Sequence, residues 1–172
     1  MSDRFEPVKL VQDALTIAKE AHEGQFRWDN KTPYIEHPMA VAKAIEFNPR
    51  LLASAVGDVT LPYVAVAAAL LHDVIEDTEL TPEDLRDRGI PNLVIETVML
   101  LTKHEGEPYL DYLLRVMGKP GTKSKAHWLA KLIKREDIKH NLSDSARGKK
   151  RQSRTARDKY QLALHLLDRD VG

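Results

Sequence analysis

The chain has 172 residues, 26 basic and 26 acidic side chains, seven histidines and no cysteine. Its length suits one domain with a core of ordinary size. The balanced charge gives no global reason to expect nucleic acid or an anionic membrane as partner. The missing cysteines exclude disulfides, thiolate zinc sites, iron–sulfur clusters and cysteine nucleophiles, so any metal must rest on nitrogen and oxygen ligands.

The first predicted helix runs from about Val8 to Ala21, with Val8, Val11, Leu15 and Ala18 at helical spacing and Gly24 as its stop. Gln25 to Glu36 is polar and reads as a loop. Pro38 suits the first turn of a helix carrying Met39, Val41, Ala42 and Ile45. Asn48-Pro49 breaks that pattern before a short helix around Leu51 to Val56. Pro62 opens the most apolar helix, which the spacing carries through Leu70, Leu71, Val74 and Ile75; apolar nearly all round, it must be buried. Thr81 and Pro82 fit the N-cap and first position of the next helix. Pro91 begins another through Val94, Val98 and Leu101. Helices over Tyr109–Met117, Ala126–Leu142 and Arg154–Leu167 complete the set, with a turn at Lys119-Pro120-Gly121. Val56 to Val59 is the nearest approach to a strand, and Gly57 and Asp58 weaken it. The expectation is an all-α, single-domain helical bundle spanning 1–172, with its core at about 8–168. The N-terminus lacks the basic start and apolar run of a signal peptide, and no stretch approaches the roughly 20 apolar residues of a membrane span. A cytoplasmic protein with no membrane partner is expected.

His72-Asp73-Val74-Ile75-Glu76-Asp77 places four ionisable groups at the end of the buried helix. At about 100° per residue, positions 72, 73, 76 and 77 share an arc of roughly 140°. Carboxylates that close repel unless a cation or water lies among them. Two other segments carry similar chemistry. His37 stands before Pro38 at a helix mouth, and Asp137 and Asn141 lie one turn apart on a later helix. Two histidines and two aspartates from three helices would make a mixed nitrogen–oxygen site for one divalent cation, with positions left open for water and substrate.

These segments resemble the HD-domain phosphohydrolases, in particular the hydrolase domain of RelA/SpoT-type guanosine tetraphosphate enzymes and their small single-domain relatives. The matching stretches are Ala21–Arg27, Pro33–Pro38, Ala69–Thr78, Leu101–Lys103 and Lys134–Asn141, in the family's order. The resemblance implies that His37, His72, Asp73 and Asp137 bind Mn²⁺ or another divalent metal, and that Glu76 and Asp77 position and activate the attacking water. It further implies that Arg27 packs on a guanine base, Asn141 lies near the ribose, Thr102 lies beside the nucleotide, and Lys134 faces the site. His22 and His140 also fall in matching stretches and read as structural, hydrogen-bonded histidines. His104, His127 and His165 lack partners at metal-like spacing and read as surface or helix-face residues.

Two positions depart from the family. Trp28 follows Arg27 where a lysine is usual, and Ile138 follows Asp137 where an arginine is usual. Both are expected to alter the surroundings of the metal centre rather than the centre itself. The leading expectation is removal of the 3′-pyrophosphate of guanosine tetra- or pentaphosphate. A phosphatase for another nucleotide such as NADPH is the enzymatic alternative, and a non-catalytic nucleotide- or nucleic-acid-binding module is the alternative of another class. The basic run Arg147 to Lys159 reads first as a solvated loop and helix face. Its few aromatics argue against a single-strand stacking platform, and so against nucleic acid as partner.

Overall fold

The computed structural model describes residues 6–143 and 154–170. The helices in chain order are α1 (Pro7–Ala21), α2 (Glu36–Glu46), α3 (Pro49–Ser54), α4 (Leu61–Leu71), α5 (Val74–Asp77), α6 (Pro82–Asp87), α7 (Asn92–Leu101), α8 (Tyr109–Met117), α9 (Lys125–Leu142) and α10 (Arg154–Asp170). Among the described residues the only β pairing is an isolated bridge between Phe26 and Pro33. The all-α expectation is what the chain forms, and Val56 to Val59 lies in turns. No described helix is long and apolar enough to cross a membrane.

Helix α4 is the axis of the bundle and packs against α1, α2, α7 and α9. Eight of its eleven residues are buried, among them Ala65, Ala67, Ala68 and Ala69. Alanine on several faces lets neighbouring helices approach from several directions, which one apolar stripe would not allow. On α1, by contrast, Leu10, Ala14, Ile17 and Ala18 form a single buried stripe against that axis. Turns close the bundle with local side-chain bonds. Asn48 accepts from the Arg50 and Leu51 N–H groups to start α3. Thr81 and Asp84 cap α6 reciprocally as a capping box. Gly118 ends α8 at φ 74°, where a Cβ would come 2.8 Å from a ring carbon of His127.

A smaller cluster of Leu113, Ile138, Ala163 and Leu167 fastens α10 to α8 and α9. Ile138 is fully buried there. The departure from the family at this position therefore serves the packing of α10 rather than the surroundings of the metal centre.

The fold corrects one expectation directly. The helix begun at Pro62 does not run through Ile75: it ends at Leu71, turns at His72-Asp73 and restarts as α5. The cause is local. The His72 ring bonds through Nδ1 to the Ala69 carbonyl at 2.7 Å, the acceptor that a continuing ladder would offer to the Asp73 N–H. The Asp77 N–H then bonds to the Asp73 carbonyl at 2.9 Å and starts the new turn.

Ala68 is fully buried one turn ahead of His72. Ala68→Leu is expected to cost about 1–3 kcal/mol through overpacking. At about 2–4 °C per kcal/mol for a domain of this size, the fall in Tm is measurable by calorimetry. An unchanged Tm would contradict the close packing around α4.

Candidate metal centre

Three segments deliver the four candidate ligands. His37 comes from the first turn of α2, His72 and Asp73 from the corner between α4 and α5, and Asp137 from the middle of α9. His37 Nε2 lies 3.1 Å from Asp137 Oδ1 and 3.6 Å from Asp73 Oδ2. His72 Nε2 lies 3.2 Å from Asp73 Oδ2 and 3.9 Å from Asp137 Oδ1. Ligand atoms of His37, His72 and Asp137 all fall within 4.8 Å of one another, and all three residues are buried.

The histidine tautomers decide whether this set suits a cation. The Ala69 carbonyl only accepts, so His72 Nδ1 carries a proton and Nε2 is the ring nitrogen that faces the aspartates. That Nε2 is buried without a hydrogen-bonded partner. His37 Nδ1 meets His140 Nδ1 at 2.8 Å, an arrangement satisfied when His37 donates and His140 accepts. His37 Nε2 then also faces carboxylate oxygens. Imidazole nitrogens and carboxylate oxygens facing one another are reconciled by a proton on a ring or by a cation between them. The residues fit a divalent cation with nitrogen and oxygen ligands.

Without an ion, a proton on His72 takes that role. Burial opposes a charged His72, but Asp73 and Asp137 outweigh it and push its pKa up to about 9. Burial likewise works against ionised Asp73 and Asp137. The histidines, and for Asp137 the Lys134 ammonium first, hold both below the usual carboxylate range. Burial, then His37 and Arg27, lower His140 to about 4, so it remains a neutral acceptor.

Around the cluster, Lys134 donates to Asp137 Oδ2 and Asn141 donates to Asp137 Oδ1, both at 2.7 Å. Arg27 donates to Asn141 Oδ1 at 3.1 Å and lies over the Tyr34 ring. Arg27, Lys134 and Asn141 are thus joined to Asp137 in one chain of contacts. Glu76 is held by the Lys103 N–H at 2.7 Å. Its pKa is raised by desolvation, with Asp73 and Asp77 adding to the effect. Thr102 precedes that N–H, yet its hydroxyl bonds back to the Val98 carbonyl at 2.9 Å and is not directed at the cluster. A polar cleft of about 190 Å³ borders His37 and is lined by Arg27, Asp29, Thr32, Glu36 and His140 among others. Larger clefts of about 380 to 430 Å³ lie elsewhere and are mostly apolar.

Several residues of this neighbourhood escape the sequence reading. Tyr34 contacts both Asp73 and Asp77 through its hydroxyl. Tyr34 and Lys103 stand inside the matching motifs, so the signal was present but gave them no role. Arg115 grips Glu107 and the Leu100 and Thr102 carbonyls, shaping the turn that presents Lys103. Lys159 of α10 lies over the rings of Tyr109 and Tyr160, 4.4 and 4.9 Å from their centres. Desolvation, then Lys134 and Lys103, lower its pKa. Of the basic run Arg147 to Lys159, expected as a solvated face, Arg147, Lys149, Lys150 and Arg151 lie outside the described residues. Of the remaining histidines, His22 is buried and bonds Gln25, His104 and His165 are exposed, and His127 packs beside Gly118.

A buried histidine–aspartate cluster in an all-helical bundle defines a class of metal-binding hydrolase-type folds. The family model for the HD domain matches residues 14–117, and the chain belongs to the HD-domain family. A Xenopus tropicalis protein named guanosine-3′,5′-bis(diphosphate) 3′-pyrophosphohydrolase MESH1 is 33% identical over 80% of this chain and 70% of its own length. The Haemophilus influenzae guanosine-3′,5′-bis(diphosphate) 3′-pyrophosphohydrolase is 49% identical over 41% of this chain. The Escherichia coli bifunctional (p)ppGpp synthase/hydrolase SpoT is 41% identical over 45% of it. Both bacterial matches span only 9% of the relative's length. The solved structure of a metazoan orthologue of SpoT that hydrolyses ppGpp shares the fold. Its TM-score is 0.69 at 24% identity, over 98% of this chain and 88% of that one.

Proposed function

We propose that this chain is a divalent-cation-dependent hydrolase that removes the 3′-pyrophosphate of guanosine tetra- or pentaphosphate, with Mn²⁺ as the metal and residues 1–172 acting as one catalytic unit. The observation that carries the reading is the convergence of His37, His72 and Asp137, with Asp73 Oδ2 3.2 Å from His72 Nε2, at a buried position. The similarity to pyrophosphohydrolases supports the choice of substrate. A divalent cation bound there would acidify water and polarise a phosphoryl oxygen.

The chain's own groups supply the rest. Glu76, held by the Lys103 N–H and raised in pKa, accepts the proton of the attacking water, and Asp77 orients that water. Lys134 faces developing phosphate charge from beside Asp137. Arg27 offers a planar guanidinium to the base beside the polar cleft. Asn141 joins Arg27 to Asp137 and so lies where a ribose would connect base and phosphate. Thr102 contributes through its backbone position, next to the N–H that holds Glu76. With Ile138 engaged in packing, Trp28 is the one departure left that bears on substrate choice, and it alone keeps NADPH in the test.

The test is release of pyrophosphate or phosphate from a nucleotide panel with Mn²⁺, including guanosine tetraphosphate and NADPH. Pyrophosphate mainly from guanosine tetraphosphate, abolished by chelator, is the expected result. Turnover of another compound alone would overturn the substrate and keep the centre. Silence throughout, together with oligonucleotide binding, would favour the binding-module alternative.

A pH dependence follows from His72. Its folded-state pKa of about 9 exceeds the ordinary 6.5. The stabilisation from its proton in the ion-free protein is therefore complete below pH 6.5 and is lost as pH rises through about 9. A cation must displace that proton. Mn²⁺ affinity is expected to rise by roughly tenfold per pH unit across this window, with about one proton released on binding. The Mn²⁺-induced gain in Tm should be larger near pH 9 than at pH 6.5. Calorimetry in buffers of different ionisation enthalpy reads the proton count, and zero release would contradict the assignment of His72 as a ligand.

A further inference from the structure

The hydroxyl oxygen of Tyr34 lies 2.7 Å from Asp73 Oδ2 and 2.7 Å from Asp77 Oδ2. A phenol has one proton and so donates to one carboxylate at a time while keeping the other within contact. The ring is fixed from several sides. The His22 ring lies 4.7 Å away centre to centre, and the Arg27 guanidinium sits 5.7 Å from the Tyr34 ring centre. The Tyr34 N–H donates to the Gln25 carbonyl at 2.9 Å, and its carbonyl accepts the His37 N–H at 2.9 Å. Gln25 also holds the other end of the link. Its Nε2 donates to the Asp77 carbonyl at 3.1 Å, and its Oε1 meets His22 Nδ1 at 2.8 Å. One loop therefore grips both the backbone and the carboxylate of Asp77, and the same loop leads directly into His37.

We propose that Tyr34 is a positioning residue whose hydroxyl ties the metal-site carboxylate of Asp73 to the water-handling carboxylate of Asp77. Both aspartates belong to α5, Asp73 as its N-cap and Asp77 as its last residue, just past the break from α4. The Asp77 N–H to Asp73 carbonyl bond at 2.9 Å sets their backbone spacing, so the hydroxyl fixes how the two side-chain carboxylates stand relative to each other. Tyr34 does not handle the proton of the water; it sets where Asp77 stands relative to the cation. The inference rests on the hydrolase reading for the role of Asp77, but its metal-binding half stands on the geometry alone.

The experiment is Tyr34→Phe in the full chain, which removes the hydroxyl and keeps the ring against His22. Mn²⁺ affinity by titration calorimetry is expected to weaken about tenfold, within the range lost when a group that orients a metal ligand is removed. On the nucleotide turned over by the unaltered protein, kcat is expected to fall by about 10–100-fold with KM changed less than about twofold. In a double-mutant cycle, most of that kcat loss disappears when Asp77→Asn is already present, because there is then no carboxylate to hold. The Tm of the ion-free protein, which a merely structural tyrosine would lower, stays within a few degrees of the unaltered chain. Unchanged Mn²⁺ affinity, or the same kcat loss in both backgrounds, overturns the proposal. If the unaltered chain turns over no nucleotide, the hydrolase reading fails while the Mn²⁺ titration still tests the tie.

Discussion

Replacing Asp137 with asparagine is expected to eliminate Mn²⁺-dependent turnover, with a loss well beyond the roughly 10–100-fold that removal of a supporting group brings. The carboxylate is buried and faces His37 Nε2 at 3.1 Å through Oδ1. Its other oxygen holds Lys134 at 2.7 Å. The amide keeps the shape but removes the negative charge from the candidate ligand set. It also leaves the Lys134 ammonium without its carboxylate in a mostly buried position, and breaking such a pair costs about 3–5 kcal/mol. Tm should therefore fall by on the order of 10 °C. Asp73→Asn separates the two effects. Asp73 is more exposed than Asp137 and its contacts are the two histidines and Tyr34. Its loss should remove activity as completely with a smaller fall in Tm. Metal content, turnover and calorimetry on the two variants check this, and full Mn²⁺-dependent turnover by either would remove its aspartate from the site.

Glu76→Gln is expected to lower kcat by about 10²–10⁴-fold, the contribution of a positioned general base, while Mn²⁺ binding is retained. Glutamine can still accept the Lys103 N–H that holds Glu76 Oε2, so geometry is preserved and only proton acceptance is lost. The raised pKa of Glu76 gives the test its pH signature. The group must be ionised to accept a proton, so kcat of the unaltered chain declines as pH falls through a value above that of an ordinary glutamate. The glutamine variant loses that acidic limb. A variant with full kcat, or with the limb intact, would move the base role elsewhere, with Asp77 the next candidate.

Much of the local structure is legible from single residues. Thr81-Pro82 and Asn48-Pro49 mark helix starts because a capping oxygen and a fixed φ act within four residues. The crowding of alanines and branched residues after Pro62 announces a buried helix for a similar reason, since burial on every face needs apolar residues on every face. The end of that helix was not legible. Its interruption depends on the ring of His72 reaching the Ala69 carbonyl, a competition that residue spacing does not report. Past the corner, Asp73 and Asp77 keep the one-turn spacing that the sequence indicates, through the Asp77 N–H to Asp73 carbonyl bond.

The candidate ligands are legible by motif order, because each sits in a short segment with its own local rules: histidine before proline, the His-Asp doublet, and Asp137 one turn before Asn141. What the sequence by itself determined is thus the helical class, the main helix starts and the residue types available to a cation. The tertiary structure alone decided which atoms of those residues converge, which tautomer His72 presents, and which neighbours act on them. It brought Tyr34 between two aspartates 39 and 43 positions away, and Arg27 to Asn141 across 114 positions. It also turned Ile138 into the α8–α10 packing cluster while its neighbour Asp137 faces the histidines. The physical reason is that caps, turns and amphipathic faces are set by interactions within about one helical turn. Lone-pair direction, desolvation and charge pairing at a site are set by groups that only the packed bundle brings within about 4 Å.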